Sequence, residues 1–585
     1  MSTQDKKDAM EAFSRHERTA ALERMAQDGV DVFVIGGGIT GVSVALDAAA
    51  RGYRVGLAEK ADFASGTSSK STKLVHGGIR YLPQFDFGLV REALVERGLL
   101  FQNAPWIVKP LAFVLPLYRW NRRPLGAPFV PPFGLGLDLI VQSGLLLYDI
   151  LAGRLNIRRH RRLPLAGAWC DAPALKTEGM THAFTYYDGQ TNDVRLTITV
   201  LRTAVRQGAL AANYVEVTGF NSAEDRIEAV LLRDTLTGHT YTVRARHVVN
   251  AAGVFAQRVE ELTGLASQLS VEPAKGVHLV ISRDKLPLTD KAIVLPETDD
   301  GRLIFLIPWG NRVLVGTTDT EGGDVDDAVT TDEDVTYLLD TCNRYLRVPL
   351  ERRDILATYA GYRPLIKSQS ADKSASAKLS RSHAVLDGPG GMVSIVGGKL
   401  TTWRRMAEDT MNHVARRDGG PPSTVTRAMP LDGSAGWPGV VRVIASRALA
   451  LPLDVRAHLC AAYGANLLQV LALAEGNPRL GQRLVPDLPH LWAEVVYACR
   501  HEMALTLDDV LARRTRLVLE DRHQGQQIAR EVAELMASEL GWNEAETARQ
   551  VAAYQAVVRR EYQERDEHPD QEARANTGVR PHGVG

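Results

Sequence analysis

Short apolar runs bounded by glycine mark the first third of the chain. Asp31-Val-Phe-Val-Ile-Gly-Gly-Gly-Ile-Thr-Gly41 is an apolar strand that runs into a G-x-G-x-x-G turn and then into a helix. Tyr53 to Leu57 reads as a second strand ending at Glu59, and Phe87 to Asn103 as a later helix. Gly208 to Val217 and Arg246 to Gly253 read as further strands; the second lacks alternation, as a parallel strand buried on both faces should. Arg302 to Pro308 and Arg312 to Thr318 do alternate, which predicts an antiparallel sheet. Met392 to Thr402 reads as a strand, a Gly-Gly turn and a helix start. Beyond Pro438 the apolar residues keep a helical period through Ala537 with no strand signal. Met1 to Gly29 is charged and helix-prone, and the polar tail after Arg565 is expected to be mobile.

The first glycine turn points to a dinucleotide. Gly36 permits the tight turn, Gly38 lets a pyrophosphate approach the backbone, and Gly41 lets the helix pack closely on the strand. The helix N-terminus, from Ile39 and Thr40, then faces the phosphates. Glu59, about 20 residues past the turn, is placed to accept ribose hydroxyls and disfavours a 2′-phosphate, so NADP is not expected. Ala251, Ala252 and Gly253 are small enough to let backbone approach a ligand, although they would equally allow close helix packing.

Length and composition narrow the rest. A chain of 585 residues exceeds one hydrophobic core and predicts about three to five units. Lys+Arg and Asp+Glu balance at 69 each, so no nucleic-acid partner is expected. Cys170, Cys342, Cys460 and Cys499 have no C-x-x-C spacing, which argues against a zinc site or a disulfide framework, and no metal is expected. No signal-peptide pattern opens the chain, and no uncharged apolar run reaches about 18 residues, so a cytoplasmic location without a spanning helix is expected. Pro105 to Arg162 is different. It holds seven prolines and nine Lys/Arg against two acids, and it ends in Arg158-Arg-His-Arg-Arg162. That composition suits contact with an anionic membrane surface. The plainer alternative is a core-packed insertion with a solvated basic edge.

Four elements together carry a family resemblance: Lys73-Leu-Val-His-Gly-Gly-Ile-Arg-Tyr81, Gly276-Val-His278, Ala360-Gly-Tyr-Arg-Pro-Leu365 and Val396-Gly-Gly-Lys-Leu-Thr-Thr402. In combination the chain closely resembles the FAD-dependent glycerol-3-phosphate dehydrogenases, within the wider D-amino-acid-oxidase-like flavoproteins. It departs from them in the extra cation Lys70, in Val277, and in Ile366-Lys-Ser-Gln-Ser370, which replaces an acidic continuation. The resemblance implies FAD, expected to be non-covalent because no His or Cys stands in a recognisable flavin-linking context, and an α/β fold: a Rossmann-type FAD-binding domain, an α+β substrate domain with an antiparallel sheet, and an all-α C-terminal domain. The expected boundaries are an N-terminal helical segment at 1–29; a discontinuous FAD domain at 30–104, 195–265 and 380–425; a substrate domain at 105–194 and 266–379; helices at 426–560; and a tail at 561–585.

Oxidising an alcohol through a flavin needs a proton acceptor and an orienting group beside the cofactor, and a phosphorylated substrate adds a demand for arginines. By resemblance Arg80, Tyr81 and Arg381 hold the phosphate, while Arg363 and Lys399 face the reacting hydroxyl. His278 is the leading base, with His76 as the alternative. The expected cofactor contacts are Gly36, Gly38, Ile39, Thr40, Gly41, Glu59, Lys60, Ser68, Ser71, Thr72, Lys73, His76, Val217, Ala252, Gly253, Gly398, Leu400 and Thr401. The expected partners are glycerol 3-phosphate, a quinone acceptor and the cytoplasmic face of the inner (plasma) membrane, in a form compatible with a homodimer. Two other readings stay open: a related oxidase using dioxygen or acting on another small 2-hydroxy or amino acid, and a flavin-bearing scaffold or redox sensor without turnover.

Overall fold

The computed structural model describes residues 13–123, 125, 127, 130, 136–267, 269–298, 301–366, 382–419, 424–447 and 451–562. The first strand, Val30–Ile35, lies in an eight-stranded sheet between Val55–Ala58 and Thr240–Asn250, parallel to both. The parallel set extends to Leu210–Ala212 on one side and Val393–Gly397 on the other. Val32, Phe33 and Val34 are fully buried because helices cover the sheet, among them Ile39–Ala50 and Trp403–Asp418, which pack on each other. Ile35 pairs with both Ala58 and Asn250, so three strand ends stop together at the glycine turn. Ligands of open parallel sheets bind at that edge.

Two strand assignments differ from the expectation. Gly208 to Val217 is not one strand but two, Leu210–Ala212 and Val215–Ala223, broken at Tyr214, whose φ is +55°. The break lets the second piece leave the parallel sheet and pair antiparallel with Arg226–Asp234. The strand expected from Arg246 begins earlier, at Thr240, because its first half pairs with Arg226–Asp234.

A second sheet of ten strands lies across from those strand ends, with a cavity between the two. Its middle is antiparallel: Val271–Ser282 pairs with Arg312–Gly316 and with Ile355–Ile366, and Ile304–Trp309 pairs with Arg312–Gly316. The sheet is nonetheless mixed. Lys291–Leu295 runs parallel to Lys109–Tyr118, a pairing that a tight hairpin cannot make and that the long intervening chain allows. Lys109–Tyr118 in turn pairs antiparallel with Met180–Gln190.

The stretch after Lys109–Tyr118 contains the helix Leu137–Ala152. It buries Val141, Leu145, Tyr148 and Ala152 and exposes Leu139, Leu146 and Ile150, so both sides of this helix carry apolar residues. The C-terminal part is helical from Trp437–Arg447 to Glu544–Glu561, with no named strand among its described residues. Leu453–Gly476 is apolar and long enough to cross a membrane by length and composition. In the fold it is two helices, Leu453–Tyr463 and Leu467–Gly476, parted at Gly464, whose φ is +56°.

Candidate active site

A cavity of about 740 Å³ opens between the end of the parallel sheet and the mixed sheet. At its parallel-sheet end the backbone turn is tightly fixed. Gly36 has φ +111°, and a Cβ there would lie 2.7 Å from the Ala251 carbonyl oxygen. At Gly41 a Cβ would lie 1.9 Å from the Gly36 oxygen, so only hydrogen fits where the helix crosses the turn. Gly38 starts that helix, and the Ile39 N–H donates to Ser68 Oγ at 2.8 Å. Glu59 closes the turn from the next strand: Gly37 N–H donates to its Oε2 at 2.6 Å and Ala61 N–H to its Oε1 at 2.9 Å. Burial raises its pKa above the ordinary carboxylate value against these two donors.

The segment that follows Glu59 wraps one side of the cavity. Ser68, Ser71, Thr72 and His76 line it, and Lys60 lines it with its Nζ 3.6 Å from the centre of the Phe255 ring. His76 is locked by its backbone: its N–H donates to Thr401 Oγ1 at 3.0 Å, and that hydroxyl donates back to its carbonyl at 3.2 Å. Burial, with Lys399, Arg80 and Arg97 nearby, pulls its pKa down to about 3, so it stays neutral. Ala252, Gly253 and Val217 border the cavity, as do Gly398, Leu400 and Thr401 after the last parallel strand.

At the other end the cations gather. Arg80 Nη2 donates to Tyr81 Oη at 3.3 Å, and Lys399 Nζ sits 4.0 Å from the centre of the Tyr81 ring. That amine is buried without a hydrogen-bond partner, and burial beside Arg80 pushes its pKa down to about 7. Arg363 comes from Ile355–Ile366 and donates to Asp319 Oδ1 at 3.0 Å and to Thr317 Oγ1 at 3.1 Å. Gly276, two residues on from Arg363's partner Ala274 in the neighbouring strand, makes the room, since a Cβ there would come within 2.6 Å of Arg363 Nη2. His278 stacks on Tyr359 with ring centres 4.7 Å apart, and its Nε2 lies 3.0 Å from Thr72 Oγ1. Its Nδ1 is buried without a partner. Burial, then Lys73 and Arg363, hold the imidazole pKa well below its ordinary value.

Three sequence-predicted residues stand apart. Gly41 shapes the turn without lining the cavity. Lys73 is fully buried and turned away, with its Nζ 3.0 Å from both oxygens of Asp193, which also accepts from the Ser71 hydroxyl. Arg381 lies outside the described residues. Several contributors were not singled out from sequence. Asp188 accepts from Arg97 at 2.6 Å and from Tyr148 Oη, and both Asp188 and Tyr148 receive the Gly77 N–H. Phe113 and Tyr186 stack at 5.0 Å and, with Phe305, build an apolar wall. The available signal was the clustering of short polar residues at strand ends, in Tyr187-Asp-Gly-Gln-Thr-Asn-Asp193 and Gly316-Thr-Thr-Asp-Thr320.

Comparison with known proteins fits this geometry. The family described as FAD dependent oxidoreductase matches residues 31–404, and the C-terminal domain of alpha-glycerophosphate oxidase matches residues 424–547. Glycerol-3-phosphate dehydrogenase 2 of Mycobacterium tuberculosis is 40% identical, over 93% of this chain and 91% of its own. This chain belongs to the FAD-dependent glycerol-3-phosphate dehydrogenase family. The mitochondrial glycerol-3-phosphate dehydrogenase of Bos taurus is 36% identical, over 93% of this chain and 75% of its own. The glycerol-3-phosphate dehydrogenase of Bacillus halodurans, solved with FAD, superposes with a TM-score of 0.75 at 30% identity, covering 94% of this chain and 98% of that one.

The cofactor of the family is FAD, and the residues present fit it. Gly36 and Gly41 admit no side chain, the helix N-terminus suits a pyrophosphate, the apolar wall suits an aromatic ring system, and the unpartnered Lys399 amine suits a polar group. Gly41→Val should therefore give protein that folds without yellow colour, because its side chain would collide with the Gly36 carbonyl. Flavin absorbance per chain in the purified variant measures this, and wild-type FAD content would contradict it.

Proposed function

We propose that the protein oxidises sn-glycerol 3-phosphate to dihydroxyacetone phosphate and passes the two electrons to a quinone. The observation that carries this reading is the convergence of Arg80, Arg363 and Lys399 with neutral His278 in one cavity beside the glycine turn. Supporting it, relatives named glycerol-3-phosphate dehydrogenase align over nearly the whole chain. Bound FAD supplies the acceptor for the hydride leaving C2. The other tasks fall to side chains. Arg80 and Tyr81 bind the phosphate, with Arg381 assigned to the same task by resemblance; guanidinium forks match phosphate oxygens better than any other side chain. Arg363, held in place by Asp319 and Thr317, orients the C2 hydroxyl. His278 takes the hydroxyl proton on its neutral imidazole, with the Thr72 hydroxyl, 3.0 Å from Nε2, to fix the ring. Lys399 polarises the same oxygen as the carbonyl forms, and its pKa near 7 lets substrate charge decide its protonation.

The same reading places the protein on the cytoplasmic face of a membrane, where quinones dissolve. What supports attachment is the exposed side of Leu137–Ala152, with Leu139, Leu146 and Ile150, together with exposed Trp120 and Trp169. Arg158, Arg159, Arg161 and Arg162 are all exposed close by in the chain. Apolar residues entering an interface beside cations that meet lipid headgroups make a peripheral anchor.

Two measurements check these assignments. His278→Ala should slow anaerobic flavin reduction by about 10²- to 10⁴-fold while leaving substrate affinity nearly unchanged. Because the His278 pKa lies below its ordinary value of 6.5, the wild-type rate should stay level down to that pH and fall only below it. A fall centred near pH 7 that persists in His278→Ala would instead make Lys399 the base. Neutralising Arg158, Arg159, Arg161 and Arg162 together should weaken co-sedimentation with anionic liposomes, leave dye-linked turnover intact and slow turnover with a vesicle-dissolved quinone. Unchanged sedimentation would return Leu137–Ala152 to a packing role alone.

A further inference from the structure

The helical C-terminal part gathers two imidazoles and a carboxylate far from the glycine turn in sequence. His458 sits on Leu453–Tyr463, while His490 precedes Trp492–His501 and Glu494 lies in its first turn. One ligand atom from each lies within 4.8 Å of the others. Glu494 is aimed inward by three donors: the Leu491 N–H to Oε1 at 2.7 Å, and Tyr463 Oη and His458 Nε2 to Oε2, each at 2.8 Å.

His490 shows what this group is shaped for. Its ring is 1% exposed, and its Nε2 lies 3.1 Å from Glu520 Oε2. Glu520 is itself fixed, since Trp309 Nε1 donates to its Oε1 at 3.0 Å. A carboxylate on one imidazole nitrogen places the proton there and turns the lone pair of the other outward, the arrangement that supports metal-bound histidines. Here the other nitrogen, Nδ1, is buried without a hydrogen-bond partner and faces Glu494 Oε2 at 4.0 Å. That is too long for a hydrogen bond, so Nδ1 and the carboxylate oxygen face each other without a direct bond in the interior.

We propose that His458, His490 and Glu494 form a site for one divalent transition-metal ion of the zinc class, linking helix Leu453–Tyr463 to the start of Trp492–His501. Two imidazoles and a carboxylate are a suitable donor set for such an ion, and three protein ligands leave a fourth position for water. Bonds of roughly 2.0–2.2 Å in tetrahedral geometry need donors about 3.3–3.5 Å apart. His490 Nδ1 and Glu494 Oε2 reach that spacing by closing from 4.0 Å, while His458 Nε2 draws back from 2.8 Å. The His458 side chain is 18% exposed and provides the way in. His-x-x-x-Glu, at 490 and 494, is the site's short signal in the sequence.

The test uses untagged, flavin-loaded protein, stripped with a chelator and titrated with Co²⁺. One equivalent should bind with the visible absorption of a four-coordinate ion and be displaced by Zn²⁺. His458→Gln and His490→Gln should each weaken binding at least tenfold at unchanged flavin content. Glu520→Gln, which touches no metal, should weaken it by about 10- to 100-fold. Binding of Co²⁺ no stronger than in the His458→Gln/His490→Gln double variant would overturn the site, leaving a proton as the occupant between Glu494 and His490. If either variant loses its flavin, X-ray absorption of the zinc-loaded wild type decides: two imidazoles in the coordination shell support the site, and none overturns it.

Discussion

Positive charge packed around a partly buried cavity is the constraint on which the rest of this structure depends. Arg80, Arg363 and Lys399 crowd one end, and burial lowers the pKa of both Arg363 and Lys399. Such a cluster is unfavourable unless anions answer it. Asp319 answers Arg363 from within the protein, and the phosphates of cofactor and substrate are suited to answer the others. Burial first, and then these cations, keep the neighbouring histidines neutral, so a proton acceptor lies beside the cations at ordinary pH.

Holding those cations in place takes structure from far along the chain. The segment after Glu59 has little regular structure, and buried ion pairs fix it instead. Asp62 is clamped by Arg513 Nε at 2.5 Å and Arg514 Nη1 at 2.7 Å, and Arg516 donates to the Ser69 carbonyl. Lys70 reaches Glu561 and Tyr562 at the end of the last helix. The helical C-terminal part thus acts as a clasp on the cofactor-facing segment. Removing one partner from a buried pair of this kind typically costs about 3–5 kcal/mol, so the clasp depends on both halves being present.

Much of the site could be read in advance because its signals are local. A strand, three glycines and an acid about 20 residues on are legible in one window, as is the helix Phe87–Asn103, which begins and ends where its pattern said. Contacts between distant segments were less legible. Nothing near Lys73 announces that it will turn inward to Asp193, 120 residues away, instead of lining the cavity. The parallel Lys291–Leu295 pairing and the break at Tyr214 are likewise decided by tertiary partners, and alternation alone cannot distinguish them. Pro105 to Arg162 drew two competing readings from its composition, and the helix within it carries both features: one side is core and the other apolar and exposed.

Under the proposed function, the cation cluster is what selects a phosphorylated alcohol. The most direct test of that selection is anaerobic bleaching of the bound flavin by a panel of alcohols matched in carbon skeleton, with and without phosphate. The account predicts fast and complete bleaching by sn-glycerol 3-phosphate, with glycerol and small 2-hydroxy acids slower by orders of magnitude at equal concentration. Equal bleaching by glycerol and glycerol 3-phosphate, or faster bleaching by a 2-hydroxy or amino acid, would contradict it.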